Sequence, residues 1–542
     1  MERIHLPLLL VCLYFAMPSQ AQWSNDPDAP LVICDAPGTQ RYLSTVEDGA
    51  GGWYAFWIDE RNGDAEVYGQ RVDSDGYPLW AANGIPVASV PGSVVRGVKA
   101  CRLGNGDLMV VYSHGVSAPG DSLSAMRYDT DGMPVWAMAT SLVRDSVPFL
   151  RVNEVNVLAA ANGAFVLYAR TVLGGAGRRY IDRVRNDGSL VVGIDGSLVS
   201  NTGGSIQGLD ATSDGGAITH WRNGNGVGTH MGALRVDSLC APVWPASVDP
   251  VDGGPGLAYA YNATSDGQDG LAIVFVEATS PRRISFTLLD GNGNAAITPA
   301  IKTVGMSAFD QDLPWMVMHD GHFMVAWEDA RPPANNQDLY AQKLDMNGEP
   351  VWDAAGEPAV LVQTYIPHTK LVPSDSGGVI VTQLTISAGF QAQRLRSDGT
   401  TAWANAAVLA GTQHVPFYEE FTMHPHADGG AVAFWYNNDD NDLYAAHVDF
   451  HGSIGVTSGV EEAASSTGLQ VWPNPTTGQV RVRVMDRLVQ GTYTVQDAAG
   501  RTVRMGQVAG QAVVDLSGAA PGPYLVEVRW PEGVARARVV LE

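Results

Sequence analysis

The chain has 542 residues, of which 45% are hydrophobic and 17% are charged, and its formal net charge is −24. This length is too great for one simple hydrophobic core, so we expect a modular chain or several domains. Lys and Arg total 33 against 57 Asp and Glu, and this acidic balance disfavours a nucleic-acid partner or an anionic membrane surface.

The first 21 residues have the pattern of an export signal peptide. Arg3 supplies a positive start, an apolar stretch covers 6–17, and a small-x-small cleavage site follows at 19–21. A lipoprotein signal ending at Cys12 is less favoured, because a bulky valine precedes that cysteine. No later run approaches the ~18 apolar residues of a membrane-spanning helix, so we expect no transmembrane segment in the mature chain.

Three cysteines remain after cleavage of the signal, at Cys34, Cys101 and Cys240. Their spacing is not that of a metal site. Buried structural thiols are the expected state. A disulfide between Cys34 and Cys101 is the alternative in an oxidising compartment.

A short apolar run introduced by Gly recurs along the chain at intervals of about 54 residues. The eight copies lie at 51–57, 106–112, 163–168, 215–221, 270–275, 321–327, 377–383 and 429–435. Each run would be apolar on both faces of a strand, so other parts of the protein must cover it on both sides.

A second recurring element follows the apolar run: a strand that ends in an Asp-Gly or Asn-Gly turn, often with a Trp after it. The clearest copies are RVDSDGYPLW, RYDTDGMPVW, KLDMNGEPVW and RLRSDGTTAW. These dipeptides supply the positive φ that a tight hairpin needs. Each unit therefore predicts four strands, of which the third alternates between polar and apolar residues and is expected nearer the solvent.

Repeats of about 50 residues with four strands each indicate a β-propeller. The predicted fold class is therefore all-β, with an eight-bladed propeller over 22–457. Residues 23–35 match the segment that follows the Asp-Gly turn in other units, and the last unit lacks that segment. We expect 23–35 to complete the blade begun at 415–450 and to close the ring, which removes two open edges. An open array of eight units is the alternative.

The loops between second and third strands are expected to gather on one face, where binding sites of propellers usually lie. Trp-x-Asp-x-Arg motifs enter two of these loops. Either Asp and Arg clamp a ligand beside a sugar-stacking Trp, or Asp pairs with Arg and the Trp fills the space between blades. Repetition favours the structural interpretation, because a catalytic site would occur once. The candidate ligand-binding residues on this face are Trp57, Asp59, Arg61, Trp221, Arg222, Trp327, Asp329, Arg331, Trp435, Asp439, Asp440 and Asp442.

Three further polar groups have simpler interpretations than a functional one. The acidic segment 437–442 could bind Ca²⁺ through its oxygens, but its spacing is not that of an EF-hand and a solvated turn is preferred. His424-Pro425-His426 offers two imidazoles without an evident third ligand, so no metal and no other cofactor are predicted. Paired arginines at 176–180 and 280–284 could contact a carboxylate substrate, although surface arginines are preferred.

The composition changes near the C-terminus. Residues 458–468 are small and polar, as in a linker. Residues 467–542 contain eight Arg, no Lys and six acidic residues, whereas the preceding part is strongly acidic. This change of charge supports a domain boundary. Alternation such as VRVRV at 480–484 predicts a small antiparallel β-sandwich over 469–542.

An ordered series of motifs runs through this tail. It comprises Pro473-Asn474-Pro475 with Gly478, the turn at Gly500-Arg501, and Gly522-x-Tyr524. In this series the tail resembles the type A C-terminal sorting domain of the type IX secretion system of Bacteroidetes-group bacteria. The resemblance implies export to the periplasm, recognition by the outer-membrane secretion machinery, and release or attachment at the cell surface.

The resemblance does not extend to the repeats, so their function is a separate hypothesis. The leading hypothesis is a binding protein for an extracellular glycan or protein. A glycoside hydrolase or lyase is the first alternative, and a passive structural or adhesive surface protein is the second. An enzyme should have two close carboxylates with raised pKa in the central funnel, about 5–9 Å apart. A binding protein should instead expose aromatic side chains.

Overall fold

The computed structural model describes most of the chain from Gln22 to Leu541. The residues outside the description are 1–21, 116–119, 145–149, 173–176, 203–206, 225–228, 332–337, 361–368, 376, 386–387, 418–419, 456–468, 473–475, 485–489, 498–500, 521, 531–532 and 542. The predicted signal peptide, the linker, Pro473-Asn474-Pro475 and Gly500 therefore lie outside the described residues.

The chain forms two compact units, Met1–Val456 and Thr457–Glu542. Every helix or strand among the described residues is a β-strand, which confirms the predicted all-β class. None of these residues forms a helix with the length and apolar character that a membrane crossing needs.

The first unit contains 31 strands in its described part. They are β1 Leu31–Cys34, β2 Gln40–Glu47, β3 Trp53–Asp59, β4 Glu66–Val72, β5 Ile85–Ala88, β6 Val94–Arg102, β7 Leu108–Gly115, β8 Asp121–Tyr128, β9 Thr140–Val143, β10 Leu150–Ala160, β11 Gly163–Val172, β12 Arg178–Val184, β13 Ser197–Ser200, β14 Gln207–Ala211, β15 Ala217–Asn223, β16 His230–Val236, β17 Leu257–Ser265, β18 Leu271–Glu277, β19 Ile284–Leu289, β20 Ile301–Thr303, β21 Gln311–His319, β22 His322–Asp329, β23 Asp338–Leu344, β24 Glu357–Val360, β25 Leu371–Pro373, β26 Val379–Thr385, β27 Gly389–Leu395, β28 Ala407–Ala410, β29 Phe421–Pro425, β30 Ala431–Tyr436 and β31 Leu443–Val448.

These strands form eight separate antiparallel sheets within the described residues, seven with four strands and one with three. Sheets 1 to 8 are, in order, β2-β3-β4-β5, β6-β7-β8-β9, β10-β11-β12-β13, β14-β15-β16, β17-β18-β19-β20, β21-β22-β23-β24, β25-β26-β27-β28 and β29-β30-β31-β1. Each predicted apolar run forms the second strand of one sheet. The N-terminal strand β1 pairs with β31, with Leu31 opposite Ala445.

The second strands are buried on both faces, as their composition predicts. All seven residues of β3 are buried, and so are all seven of β26 and all six of β30. Each strand lies between two neighbours in its own sheet, and the adjoining sheets cover its two faces. Hydrophobic burial at ~25 cal/mol per Å² of apolar surface makes these strands the main source of stability.

The third strands correct the sequence expectation, because they are almost entirely buried instead of lying near the solvent. Six of the seven residues of β23 are buried. A polar residue is tolerated in these strands because its side chain makes a hydrogen bond to the backbone of the segment between the third and fourth strands. Gln342 Nε2 donates to the carbonyl oxygen of Asp353 at 2.7 Å, and Gln70 Nε2 donates in the same way to Ala81 at 2.8 Å.

The Asp-Gly turns have the geometry that the sequence predicts. Gly76 and Gly348 adopt φ of 87° and 74°, a region that disfavours residues with a Cβ atom. The first Asp of the turn holds it closed: Asp73 Oδ1 accepts the backbone N–H groups of Asp75 and Tyr77 at 3.0 and 2.8 Å. This is the local side-chain bonding for which Asp is favoured in turns.

The Trp that follows the turn bonds to the next sheet. In five sheets its Nε1 donates to the carbonyl oxygen of the second residue of the next turn, and we call this the inter-sheet Trp contact. The pairs are Trp136 to Asn186 (2.9 Å), Trp244 to Gly291 (2.9 Å), Trp352 to Ser397 (3.0 Å), Trp403 to Phe450 (3.0 Å) and Trp23 to Ser74 (2.7 Å). Trp23 precedes β1 of sheet 8 and reaches sheet 1, so this contact joins the two ends of the repeat region.

The first strand of every sheet contacts the first strand of the next one. We call these eight the inner strands: β2, β6, β10, β14, β17, β21, β25 and β29. The contacts run in this order, and β29 also contacts β2. Thr45 and Thr422 share a 2.7 Å hydrogen bond across that last pair.

The second unit contains β32 Leu469–Trp472, β33 Gln479–Val484, β34 Gln490–Asp497, β35 Thr502–Ala509, β36 Gln511–Asp515, β37 Gly522–Trp530 and β38 Gly533–Leu541. They form one sheet in the order β32-β33-β36-β35-β34-β37-β38, and the edge strands β32 and β38 contact each other. Within this sheet β35 and β36 pair only through Ala509 opposite Gln511, so β32-β33-β36 and β35-β34-β37-β38 are joined at one point, and the two-layer sandwich stays a prediction. Val480 and Val482 are buried in its core while Arg481 and Arg483 are exposed, as the alternation predicts.

The three cysteines among the described residues, Cys34, Cys101 and Cys240, are free and buried, so the alternative Cys34–Cys101 disulfide does not form. Burial raises the pKa of the Cys101 and Cys240 thiols to about 12. These thiols are therefore protonated at neutral pH and act as small apolar core groups.

The inter-sheet Trp contact at the N-terminus gives a stability prediction. Trp23 is buried, and we expect Trp23→Ala to lower the free energy of unfolding by ~3–5 kcal/mol, the usual cost of deleting a buried Trp side chain. Trp23→Phe keeps most of the packing and removes the hydrogen bond, so it should cost only ~1 kcal/mol. Urea denaturation measures both, and equal losses for the two variants would contradict the prediction.

Candidate functional site

The two Trp-x-Asp-x-Arg motifs have the same buried hydrogen-bonded arrangement. Trp57 Nε1 donates to Asp59 Oδ2 at 2.8 Å, and Arg61 Nη2 donates to the same oxygen at 2.6 Å. The Arg61 guanidinium lies 3.9 Å from the centre of the Tyr68 ring. Trp57 and Asp59 are fully buried, so their polar atoms are satisfied inside the protein.

The second motif repeats these contacts in sheet 6. Trp327 Nε1 donates to Asp329 Oδ2 at 3.2 Å, and Arg331 Nη2 donates to it at 2.6 Å. The Arg331 guanidinium lies 3.7 Å from the centre of the Tyr340 ring. In both motifs the Asp pairs with the Arg, as the structural interpretation predicts. A role of these residues in ligand binding stays a prediction.

Two more candidates occupy equivalent positions. Trp221 Nε1 donates to Asn223 at 2.7 Å, so Asn replaces the Asp of the motif. Arg222 donates to the carbonyl oxygens of Ala258 and Tyr259, both at 3.1 Å, and so links sheet 4 to sheet 5.

In sheet 8, Trp435 Nε1 donates to the His414 carbonyl oxygen at 2.6 Å. The acidic turn after Trp435 is closed by its own hydrogen bonds. Asp440 accepts the Tyr444 hydroxyl at 2.7 Å, and its own Oδ1 accepts the Asp442 N–H at 3.1 Å. Asp439 is exposed, and burial together with the Asp440 charge raises the pKa of Asp442 to about 6. Calcium binding at this turn stays a prediction.

One arginine of each pair makes an intramolecular ion pair. Arg179 is buried and lies 3.5 Å from Glu154, whereas Arg282 contacts Asp310 and Asp312 at 3.2 and 3.3 Å. Glu154 lies on the inner strand β10 and Asp312 on the inner strand β21.

The inner strands enclose two cavities, neither of which the sequence motifs identify. The first, of 610 Å³, lies among β2, β6, β10, β25 and β29. The second, of 450 Å³, lies among β10, β14, β17, β21, β25 and β29. Lys370 and Phe421 line both, so the cavities adjoin along the inner strands.

Bulged inner strands shape these cavities. The pairing register shifts between Arg41 and Ser44, between Asn153 and Asn156, and between Asp312 and Trp315. A cavity-lining residue in each bulge has positive φ: Tyr42 (59°), Glu154 (51°) and Leu313 (43°). Non-Gly residues in this region are strained, and bulges of this kind re-aim side chains next to functional sites.

The first cavity is locally basic in an acidic chain. Four basic side chains line it against three acidic ones: Arg96, Lys99, Arg151 and Lys370 face Asp121, Glu154 and Glu420. Arg96 and Arg151 both contact Asp121 Oδ1, at 2.9 and 3.0 Å. One carboxylate therefore neutralises only one of these two guanidinium groups.

Lys99 is the cation that faces the first cavity without an ion pair to any described residue. Its side chain is exposed to the cavity, yet enclosure by the inner strands lowers the pKa of its ammonium group. Tyr42 lines the same cavity with 45% of its surface exposed. An anionic group and a flat apolar surface of a ligand could therefore both be contacted here.

The second cavity contains an aligned Asp-His-Tyr group. His220 Nε2 lies 3.3 Å from Asp210 Oδ2, and His220 Nδ1 lies 3.0 Å from the Tyr261 hydroxyl. With its proton on Nε2, His220 accepts a hydrogen bond from Tyr261 at Nδ1. Burial raises the pKa of Tyr261, so the phenol keeps its proton at neutral pH.

A pair of carboxyl groups with raised pKa lies in sheet 6. Asp312 and Glu328 are directly opposite each other on β21 and β22, where Cα atoms are about 4.5–5.5 Å apart. Burial and the Asp312 charge raise the pKa of Glu328 to about 8. The Tyr259 hydroxyl donates a hydrogen bond to Asp312 Oδ2. Glu328 is only 3% exposed, so this pair is closed to a large substrate.

The described sorting residues of the tail are close to turns. Arg501 Nε donates to Asp497 Oδ2 at 2.9 Å, Gly522 has φ of 146°, and Tyr524 is buried. The Gly478 carbonyl oxygen accepts the Leu516 N–H at 2.7 Å. Residues 470–542 match the family described as "Secretion system C-terminal sorting domain".

The tail is a type IX secretion sorting domain. This confirms the resemblance stated from its motifs. The sorting domain directs the chain to the cell surface or to secretion, and it implies an interaction with the secretion machinery.

The comparison with curated proteins finds no match. Solved structures similar to this chain include the BP39L lectin from Burkholderia pseudomallei, at 10% identity and a TM-score of 0.41, covering 77% of this chain and 98% of the lectin. An α-L-arabinanase from Penicillium chrysogenum is similar at 10% identity and a TM-score of 0.34, covering 66% and 93%. A protein of unknown function from Dyadobacter fermentans is similar at 12% and 0.33, covering 60% and 97%. At these TM-scores the similarities carry no argument about the ligand.

The buried Glu328 carboxyl gives a pH prediction. It keeps its proton in the folded chain up to about pH 8, whereas an unfolded Glu loses its proton near the ordinary pKa of 4.5. Unfolding then releases a proton between these values, so the free energy of unfolding falls as pH rises through this window, by about 1.4 kcal/mol per unit of pKa difference.

Glu328→Gln should remove this slope and should be more stable than the wild type at pH 8. Urea midpoints measured from pH 4.5 to 8 test the prediction. Glu349→Gln, an exposed change of the same kind, is the control and should keep the wild-type slope. An unchanged slope in Glu328→Gln would contradict the assignment.

Proposed function

We propose that this chain is an exported binding protein whose eight sheets close into an eight-bladed β-propeller and whose inner-strand cavity binds an acidic carbohydrate. The proposed organisation is a signal peptide over 1–21, the propeller over 22–457, a linker over 458–468 and the sorting domain over 469–542. The contacts of every inner strand with the next one, including β29 with β2, support the closed ring. The pairing of β1 with β31 supports it at the edge.

The observation that carries the ligand class is that Lys99 and the exposed Tyr42 line the same cavity, which has more basic than acidic side chains. The whole chain has a formal net charge of −24, which repels anions in general. A cavity with an excess of basic side chains is therefore a local exception that can attract an anionic ligand. Carboxylate or sulfate groups supply the anion, and a sugar ring supplies the flat surface for Tyr42. Enclosure strengthens the ionic contact, because the effective dielectric constant is lower there.

A glycan array with uronic-acid, sulfated and neutral oligosaccharides tests this proposal, with calorimetry on the ligands that bind. We expect acidic oligosaccharides to bind and Lys99→Met to weaken binding at least about tenfold, since a charge-assisted hydrogen bond contributes ~1.5–3 kcal/mol. Lys302→Met removes a charge from an outer strand and should leave affinity unchanged. Equal binding of neutral glycans, or wild-type affinity in Lys99→Met, would exclude the proposal. Inertness toward every glycan would favour a structural or adhesive surface protein.

The second candidate is a polysaccharide lyase or glycoside hydrolase, and the Asp210-His220-Tyr261 group supports it. Asp210 orients the imidazole, and Tyr261 would pass its hydroxyl proton to His220 Nδ1 while its oxygen takes a proton from the substrate. This is a set of groups for general acid-base chemistry in a cavity of 450 Å³.

A degradation screen on the same acidic polysaccharides separates the two candidates. An enzyme should shorten the chains, and His220→Asn should lower the rate by about 10²–10⁴-fold, the usual contribution of a general base. His451→Asn, an exposed change of the same kind, should retain the rate. Binding without any chain shortening would exclude the catalytic candidate and leave the binding proposal intact.

A further inference from the structure

Three potential metal ligands converge in sheet 8, at the turn between β29 and β30. His426 Nδ1 lies 2.7 Å from Asp428 Oδ1, and His447 Nε2 lies 2.9 Å from Asp428 Oδ2. The three ligand atoms are all within 4.8 Å of one another. Among the described residues this is the one group of three His, Cys, Asp or Glu side chains with that property. His426 of the His424-Pro425-His426 segment thus meets Asp428 of the same turn and His447 of β31, and His424 is not part of the group.

Other sheets have an arginine at the position of His447. This position lies on the third strand, opposite the second residue of the second strand. The arginines there are Arg71 in sheet 1, Arg127 in sheet 2, Arg235 in sheet 4 and Arg394 in sheet 7. Each of these arginines contacts an Asp in the turn before the apolar run. In sheet 8 the equivalent Asp is Asp428, and the imidazoles of His426 and His447 contact it where the other sheets have an arginine.

The outer nitrogens of both imidazoles face backbone carbonyl groups. His447 Nδ1 lies 3.1 Å from the Gly455 oxygen, and His426 Nε2 lies 3.3 Å from the Ser74 oxygen. A neutral imidazole carries its proton on the nitrogen that faces the carbonyl, so lone pairs point from both rings towards the Asp428 carboxylate. A metal ion bound by both nitrogens and the carboxylate satisfies this arrangement, as does a hydrogen bond from a protonated imidazole. A carbonyl acceptor behind each ring is also the usual outer shell of a metal-binding histidine.

We propose that His426 Nδ1, His447 Nε2 and the Asp428 carboxylate bind a divalent transition-metal ion of the Zn²⁺ type. Two imidazole nitrogens and one carboxylate oxygen are ligands that this ion takes in proteins, with a water in the remaining position. Asp428 is exposed and leaves room for that water.

The ion would hold together the two ends of the repeat region. His426 stacks on Trp53 of sheet 1 at 5.8 Å, and His447 lies 6.1 Å from Trp23. Ser74, whose carbonyl faces His426, also accepts the inter-sheet contact of Trp23. The site therefore stabilises the contact between sheet 8 and sheet 1, independently of any ligand in the inner-strand cavities.

The test is calorimetric titration of the metal-free chain, purified without a histidine tag, with ZnCl₂ at neutral pH. We expect one saturable site, a rise in Tm on binding, and an absorption spectrum of tetrahedral type with Co²⁺. His447→Arg recreates the ion pair of the other sheets, so it should fold and keep the metal-free Tm. It should also lower Zn²⁺ affinity at least about 100-fold. Loss of an outer-shell partner already costs up to about 100-fold, and loss of a direct ligand should cost at least as much. His426→Asn should weaken binding in the same way.

His451→Asn and His424→Asn are the matched controls, since His451 is exposed on a nearby turn and His424 contacts Thr45 instead of Asp428. Both should bind Zn²⁺ like the wild type. Absence of saturable binding overturns the proposal, and so does binding that survives His447→Arg. Binding lost in His424→Asn but kept in His447→Arg would assign the ion to the His-Pro-His pair and would also overturn the three-ligand site.

Discussion

The joining of neighbouring sheets in the first unit depends on one repeated contact, in which a tryptophan after one hairpin turn packs against the next turn and donates a hydrogen bond to its backbone. Because the acceptor is a backbone carbonyl, the contact survives any change of side chain at that turn residue, and Ser, Asn, Gly and Phe all occur there. The ring also lies against a turn Gly, where a Cβ at Gly76 would come within 2.8 Å of a Trp23 ring carbon. The Asp, the Gly and the Trp thus recur together because they form one contact between two sheets.

Because the main contacts between sheets are made elsewhere, the sequences of the inner strands can differ from one sheet to the next. The apolar second strands and the turns hold neighbouring sheets together, so the first strands carry bulges and charges that a repeated core would not tolerate. Tyr42, Glu154 and Leu313 take strained φ values at such bulges, and all three line the cavities. The rigid repeat offsets the local strain, as is common where a binding site is built on a stable scaffold.

Much of the fold could be predicted from sequence, but little of the candidate site. Glycine-led apolar runs and Asp-Gly turns are local patterns, and the structure places them as second strands and hairpins. The Trp-x-Asp-x-Arg motifs are visible in the sequence because they recur, and their repetition favours the structural interpretation. Lys99 and Tyr261 lie outside the recurring motifs, and His220 lies inside an apolar run without being part of its pattern. A lone Lys in a first strand carries no sequence pattern, and its exposure to a cavity depends on which strands surround it. The burial of the third strands was also missed, because the partner of Gln342 is a backbone carbonyl that no side-chain pattern reveals.

The sequence by itself determined the all-β class, the recurring four-strand unit and the export role of the tail, since each of these is encoded in residues close together in the chain. The tertiary structure alone decided which distant residues meet. Asp210 and Tyr261 reach His220 from neighbouring inner strands, and His447 reaches Asp428 across a strand pair. Such meetings depend on sheet packing and strand register, which arise from the summed burial of many apolar residues and not from any local motif.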